Sequence, residues 1–106
     1  MKRSLLALLG LAAGLAAMAG QAQTARYPDR PVKVLVGFAA GGGTDVAARI
    51  LAQKLTDALG QTVMVENRPG ASGMIAAEAA AKSPADGYTL MMGSQTTLAV
   101  APALYR

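Results

Sequence analysis

The stretch that decides the fold reads VKVLVGFAAGGGTD and occupies residues 32–45. Its first seven residues are apolar at nearly every position and rich in β-branched side chains, which is typical of a strand covered on both faces in a parallel sheet. The glycines at 41–43 then end the strand, and Thr44 and Asp45 favour the start of a helix. The stretch therefore predicts a buried strand that runs through a glycine loop into a helix.

The residues that follow have the periodicity of an amphipathic helix, and Gly60 is expected to end it. We expect Thr44 to be the N-terminal cap and Asp45 to interact with the positive end of the helix dipole. The side chains expected on the buried face of this helix are Ala47, Ile50, Leu51, Leu55, Ala58 and Leu59.

The rest of the chain repeats the alternation of strand and helix. Strands are predicted over residues 62–66 and 88–93, and a second helix over residues 74–82, followed by a turn at 83–87. Crossovers of this length join parallel strands and are normally right-handed. The fold class is therefore α/β, an open βαβαβ parallel sheet with helices on its faces.

In such a sheet the connections that leave the carboxyl ends of the strands lie at one edge, where ligands bind. We call them loop 1 (residues 38–45), loop 2 (67–73) and loop 3 (93–97); all three are rich in Gly, Ser or Thr. Loops 1 and 2 lead into helix N-termini, where exposed N–H groups attract anions. This edge therefore predicts a site for a small anionic ligand, with Arg68 expected at the surface beside Glu66.

Each loop also has a purely structural interpretation, which the residues leave open. The glycines at 41–43 fit a flexible turn as well as a binding loop. They do not form a phosphate-binding P-loop, because no Lys-Ser/Thr pair follows, and Val46 occupies the third glycine position of the dinucleotide fingerprint. Thr44 and Ser72 also fit helix caps, and Asp45 fits a helix-start residue better than a catalytic acid.

The composition excludes several kinds of site. The chain has neither Cys nor His, so thiol nucleophiles, the Ser-His-Asp triad and thiolate or imidazole metal sites are absent. Its six acidic residues are isolated and offer no calcium loop, so we expect neither a metal nor a cofactor. Its singly scattered charges and four aromatic residues do not resemble a nucleic-acid interface. We therefore expect a binding protein rather than an enzyme.

The N-terminus has the pattern of a secretory signal peptide, predicted over residues 1–22. Lys2 and Arg3 precede an uncharged, Leu- and Ala-rich run over residues 5–19, which is too short to cross a bilayer as a helix. Cleavage is expected after Ala22 or, as a second choice, after Ala19. The whole chain carries a net charge of +4, and the two basic residues of the leader supply half of it.

Four stretches of the remaining chain resemble the Bug-type receptors of the tripartite tricarboxylate transporter family, of which the tricarboxylate receptor TctC is representative. They occur in the family's order and spacing and cover nearly all of residues 23–106. They are YPDRP (27–31), FAAGGGTDVAARILAQKL (38–55), VMVENRPGASG (63–73), which follows LGQ (59–61), and SPADGYTLMMGS (83–94).

The resemblance implies a two-lobed type II periplasmic binding protein. Residues 23–106 would be the first part of lobe 1, with the second lobe absent from this chain. Such receptors are periplasmic monomers at full length, and they bind a small carboxylate or dicarboxylate and deliver it to inner-membrane transporter subunits. The resemblance does not identify the carboxylate. The ligand-binding candidates that it implies are Gly42, Gly43, Thr44 and Asp45 in loop 1, Ala71, Ser72 and Gly73 in loop 2, and Ser94 and Thr96 in loop 3.

Two other functions stay open at this point. A small phosphate- or nucleotide-binding α/β enzyme fragment would use the same glycine-rich edge. A structural chain that folds only with partner molecules would expose the unpaired edge of its sheet. Ligand binding separates the first from a carboxylate receptor, and self-association separates the second.

Overall fold

The computed structural model of the chain describes residues 25–104, and the leader predicted over residues 1–22 lies outside them. The elements are β1 (Val32–Val36), α1 (Gly43–Leu59), β2 (Val63–Asn67), a 3-10 turn (Ala71–Gly73), α2 (Met74–Lys82), β3 (Thr89–Met92), a π-helical turn (Thr96–Val100) and α3 (Ala101–Leu104). The predicted α/β class and the βαβαβ order are confirmed. Within the described residues, no helix combines the length and apolar character that crossing a membrane requires.

The three strands form one parallel sheet in the order β2-β1-β3. Val34 of β1 pairs with Val65 on one side and with Leu90 on the other. The central position explains the nearly continuous apolar run of β1, because a strand with two neighbours and helices on both faces of the sheet has no solvent-exposed face. Val32 and Val36 are accordingly among the most deeply buried side chains.

The helices lie on opposite faces of the sheet. The chain steps from β1 to β2 in one direction and from β2 past β1 to β3 in the other, so right-handed crossovers place α1 and α2 on different sides. On the α1 side, Ala52 packs with Val32, Val34 and Val63 in the core cluster. On α2, Ala76 is fully buried.

The predicted buried face of α1 is wrong for most of its members. Ile50 and Leu51 are 59% and 45% exposed, and only Leu55 of the predicted set packs against the core. The buried residues are Asp45, Ala48 and Ala52. Small alanine side chains let the helix lie close to the sheet, which the larger leucine and isoleucine side chains would prevent.

Polar contacts fix this rotation of α1. Asp45 begins the buried stripe, and Ala48, Ala52 and Thr56 continue it at spacings of three and four residues. The Thr56 hydroxyl donates to the Ala52 carbonyl at 2.8 Å and accepts the Val63 N–H at 2.9 Å, which joins the end of the helix to the start of β2. Turning the helix to bury Ile50 would break these bonds.

The helix ends agree with the sequence at one terminus only. Gly60 ends α1 in the left-handed conformation, as predicted, and its N–H donates to the Thr56 carbonyl. At the other end the helix starts at Gly43, with Gly42 in the cap position and no side-chain cap. Thr44 therefore lies within the first turn and is not the N-terminal cap, which corrects the prediction.

Candidate functional site

The carboxyl ends of the three strands bring loops 1, 2 and 3 to one edge of the sheet. In the order β2-β1-β3, the strands that follow β1 lie on its two sides, so the strand order reverses between β1 and β3. Open parallel sheets bind ligands at the carboxyl edge beside such a reversal. The nine candidate residues lie in these loops, and the edge is therefore the candidate site.

Loop 1 presents unpaired backbone donors. The first hydrogen bond of the α1 backbone joins the Val46 N–H to the Gly42 carbonyl at 2.9 Å. In the described part of the chain, the N–H groups of Gly43 and Thr44 donate no hydrogen bond. Gly42 and Gly43 are exposed, and a Cβ on Gly43 would meet no atom within 4 Å. An anion can therefore approach this helix end closely.

Asp45 is held by three donors and is only 2% exposed. Its Oδ2 accepts the Gly41 N–H and the Arg49 Nε–H, both at 2.9 Å, and its Oδ1 accepts an Asn67 Nδ2–H at 2.8 Å. The hydrogen bonds from Arg49, Gly41 and Asn67, in that order of importance, lower the pKa of Asp45 to about 2. The carboxylate therefore fixes loop 1 against the end of β2.

Asn67 completes this connection and was not among the predicted site residues. Its Nδ2 also donates to the Phe38 carbonyl at 3.1 Å, and its Oδ1 accepts from Arg49 Nη2 at 3.0 Å. The signal in the sequence was its position, since an amide directly after an apolar strand lies at the ligand-binding edge. One side chain thus links loop 2 to both ends of loop 1.

Loop 2 has an unusual backbone. Gly70, Ala71, Ser72 and Gly73 have successive φ values of 132°, 47°, 56° and 87°, although two of them carry a Cβ. The left-handed region disfavours such residues, and they keep it only where surrounding contacts hold them. The contacts are close here, because a Cβ on Gly37 would lie 2.6 Å from the Gly73 Cα.

Loop 3 meets loop 2 through Thr97, which sequence reasoning also missed. Thr97 is 2% exposed, and its Oγ1 donates to the Ser72 carbonyl at 3.0 Å. Ser94 Oγ lies 3.0 Å from Thr97 Oγ1 and accepts the Thr97 N–H at 3.2 Å. Thr96, a predicted site residue, is exposed beside this pair. The sequence shows that Thr97 follows the predicted Thr96, but it does not show that the Thr97 side chain is buried.

The cations near the edge are paired. Arg68 lies at the surface beside Glu66, as predicted, and its Nε donates to Glu66 Oε1 at 2.6 Å. Lys33 Nζ lies 2.8 Å from the other Glu66 oxygen. Hydrogen bonds from Lys33 and Arg68 lower the pKa of Glu66. Because Arg49 is paired with Asp45, the donors that loops 1 and 2 present are mainly backbone N–H groups. Backbone N–H groups of this kind suit an anionic oxygen.

Comparisons with known proteins agree with this geometry. Residues 47–106 match the family described as "Tripartite tricarboxylate transporter family receptor". The chain is 49% identical over 92 residues to protein BugT of Bordetella pertussis, and the matched residues cover 87% of this chain and 28% of BugT. It is 45% identical over 94 residues to the UPF0065 protein in the gbd 5' region of Cupriavidus necator, covering 84% of this chain and 29% of that protein.

Solved structures give the same result. MatC from Rhodopseudomonas palustris with bound malate matches with a TM-score of 0.72 and 41% identity, over 76% of this chain and 27% of MatC. R. palustris Rpa4515 with adipate matches with a TM-score of 0.64 and 46% identity, over 65% of this chain and 23% of Rpa4515. The periplasmic binding protein BugD matches with a TM-score of 0.60 and 49% identity, over 61% of this chain and 22% of BugD.

This chain therefore spans less than a third of the length of these relatives, and it has the α/β fold of the part that it matches. The resemblance noted from the four sequence stretches is confirmed by a family model and by relatives at nearly half identity. The chain belongs to the receptor family of the tripartite tricarboxylate transporters.

Proposed function

We propose that this chain is the ligand-binding N-terminal part of a receptor for a small carboxylate or dicarboxylate. The observation that carries the proposal is the unpaired N–H pair of Gly43 and Thr44, at the carboxyl edge beside the strand reversal. Two structures of related proteins contain adipate and malate, which are dicarboxylates and support this ligand class. The function is binding rather than catalysis.

Some residues of the loops present hydrogen-bond donors to the ligand, and others hold the loop backbone in place. Gly43 and Thr44 present backbone donors at the positive end of α1, where a carboxylate is favoured, and Gly42, whose own N–H donates to the Ala39 carbonyl, leaves room for the ligand beside them. Ala71, Ser72 and Gly73 form the second wall of the site, and Ser94 and Thr96 lie on the third side. Asp45 contributes by holding loop 1, because its oxygens are occupied by Gly41, Arg49 and Asn67.

The receptor works outside the inner membrane in this proposal. Residues 1–22 direct export and are removed, residues 23–106 enter the periplasm, and the bound carboxylate passes to the membrane subunits of a tripartite tricarboxylate transporter. Intact-mass measurement of the periplasmic fraction tests the export step. A species that begins at Gln23 or Gly20 agrees with it, and an unprocessed cytoplasmic chain contradicts it.

Ligand binding is tested by titrating the ¹⁵N-labelled chain with adipate and malate. A site built on one lobe is open to water, so its hydrogen bonds gain little over those to solvent, and we expect an affinity of about millimolar or weaker. The amide signals of Gly43, Thr44 and Ser72 should shift more than those of the opposite edge. Matched titrations with 1,6-hexanediol and with sodium chloride control for the carbon chain and for ionic strength.

Two results would contradict the proposal. Adipate and malate that leave the loop amides no more shifted than sodium chloride does would exclude a carboxylate site. ATP or inorganic phosphate that shifts the same amides at lower concentration than the dicarboxylates would favour the phosphate- or nucleotide-binding alternative.

A further inference from the structure

We propose that Thr97 is a positioning residue of the carboxylate site, holding loop 2 in its left-handed conformation so that the Ser72 N–H stays available to the ligand. The inference rests on the proposed function and adds a residue that the candidate set did not contain. It follows from the hydrogen atoms of two hydroxyl groups, the backbone of loop 2 and the packing of Gly73.

The hydrogen atoms determine the direction of each bond. The Thr97 hydroxyl has one hydrogen, and it goes to the Ser72 carbonyl, which can only accept. Ser94 Oγ, 3.0 Å from Thr97 Oγ1, must therefore donate its own hydrogen to Thr97. The Thr97 N–H returns a hydrogen bond to Ser94 Oγ. Ser94 thus uses its only hydroxyl hydrogen inside the protein, on Thr97.

Thr97 fixes the peptide that joins Ser72 to Gly73. The carbonyl of this peptide accepts from Thr97 Oγ1, and its N–H, on Gly73, donates to the Gly70 carbonyl at 3.0 Å. Because the peptide group is planar, holding both polar atoms fixes its orientation. The preceding N–H, on Ser72, has no acceptor within the part of the chain that the structure describes. It is a donor that loop 2 leaves for a ligand, and it adjoins the peptide that Thr97 holds.

Two further observations show that Thr97 is built into this position. A Cβ on Gly73 would lie 2.2 Å from Thr97 Oγ1, so the threonine rests directly on the glycine. Thr97 lies in the π-helical turn over Thr96–Val100, and such turns are frequent at functional sites. Neither Ala71 nor Ser72 would keep a positive φ without such support.

The test compares Thr97→Val, which keeps the shape and removes the hydroxyl, with Thr97→Ser, which keeps the hydroxyl. Thr62→Val is the matched control, because Thr62 is exposed at the opposite edge of the sheet. In the ligand-free chain we expect the Gly73 amide to exchange its hydrogen about ten-fold faster in Thr97→Val, since the Gly70–Gly73 turn opens more often. Thr97→Ser and Thr62→Val should exchange at the original rate.

The second measurement is the adipate titration of the same proteins. The initial slope of the Ser72 amide shift against adipate concentration should fall about five-fold in Thr97→Val, as expected for one lost hydrogen bond, and recover in Thr97→Ser. An unchanged slope and an unchanged exchange rate in Thr97→Val would overturn the proposal. So would an equal loss of slope in Thr97→Ser, because that result would indicate packing rather than the hydroxyl.

If Thr97→Val does not fold, Ser94→Ala takes its place, because it frees the Thr97 hydroxyl to rotate away from Ser72. Faster exchange at Gly73 then supports the proposal, and unchanged exchange overturns it. Failure of the proposed function has a different signature. The original chain would show no adipate response at all, while the exchange difference between Thr97→Val and Thr97→Ser persists.

Discussion

The two edges of the sheet are held in different ways. At the end where the strands begin, which we call the amino edge, exposed side chains surround the half-buried Tyr88: Arg30 lies 3.8 Å above the Tyr88 ring and pairs with Asp86 at 3.1 Å. Tyr27 stacks edge-on against Tyr88, with ring centroids 5.1 Å apart, and donates to the Gly87 carbonyl. At the carboxyl edge, buried side chains hold the backbone instead, as Asp45 does for Gly41.

The contacts at the two edges have different roles: those at the amino edge stabilise the fold, and those at the carboxyl edge also shape the proposed binding site. The amino edge uses its polar groups on one another: the Tyr88 hydroxyl, for instance, donates to Asp29 at 2.6 Å, which raises the pKa of Tyr88. The carboxyl edge uses Asp45 and Thr97 to fix loops in which the N–H groups of Gly43, Thr44 and Ser72 donate to no acceptor in the described part of the chain. Substitutions at the amino edge should therefore change stability alone, whereas substitutions at the carboxyl edge should also change binding.

The largest effect is expected for Gly73→Ala. The new Cβ would lie 2.2 Å from Thr97 Oγ1, at a residue whose φ of +87° disfavours any side chain. Overpacking and a left-handed backbone together should lower the free energy of unfolding by about 3 kcal/mol. Urea denaturation followed by circular dichroism measures it.

Gly43→Ala is the matched control for that substitution. A Cβ on Gly43 meets nothing within 4 Å, and its φ is not positive. The free energy of unfolding should stay the same or rise slightly, because alanine favours a helix. Equal losses at Gly43 and Gly73 would show that the close contact with Thr97 is not what makes Gly73 necessary.

The next effect is on affinity rather than stability. Gly43→Asp places a carboxylate where the ligand carboxylate is proposed to bind, so repulsion and loss of a charge-assisted hydrogen bond should weaken adipate binding about 10- to 100-fold. Folding should survive, because aspartate is favourable in the first turn of a helix. An NMR titration beside Lys54→Ala, on the outer face of α1, makes the comparison. Equal affinities would place the ligand elsewhere.

The sequence predicted the parts of this molecule that depend on neighbours along the chain. Glycine at 60 ended α1 and residues 74–82 formed α2 because those signals are local. The rotation of α1 was not predictable in this way, because Asp45 is held by Asn67, 22 residues away. The role of Thr97 was hidden for the same reason, since Ser72 lies 25 residues before it. Periodicity favoured the leucines of α1, and distant polar contacts decided otherwise.

Acid should affect the carboxyl edge through Asp45. The pKa of this carboxyl is about 2 in the folded chain and about 3.8 without its partners, so ionised Asp45 stabilises the fold. That stability is complete above about pH 5 and is lost progressively as the pH falls through 4 towards 2. Urea denaturation at pH 7, 4 and 2.5 should therefore show a steep loss in the original chain.

The variant Asp45→Asn shows how much of the acid-induced loss of stability comes from the Asp45 carboxyl. The variant should be less stable at pH 7, because an amide cannot accept equally from Arg49, Gly41 and Asn67. Its stability should fall less between pH 4 and 2.5, since the group no longer titrates. Asp57→Asn, exposed on the same helix, serves as the control and should follow the original chain. If the free energy of unfolding falls with pH in the same way in the original chain, Asp45→Asn and Asp57→Asn, then Asp45 is not the source of the acid-induced loss of stability.

The smallest effect is expected at the amino edge, for Arg30→Ala. The substitution removes the contact of Arg30 with the half-buried Tyr88 ring and its exposed ion pair with Asp86. Exposed contacts of this kind contribute little, so the free energy of unfolding should fall by about 1 kcal/mol, and less at high salt. Adipate affinity should stay unchanged, because Arg30 lies at the opposite end of the strands. A weakened adipate response in a folded Arg30→Ala protein would show that the two edges are coupled, and it would break the separation between stability and binding.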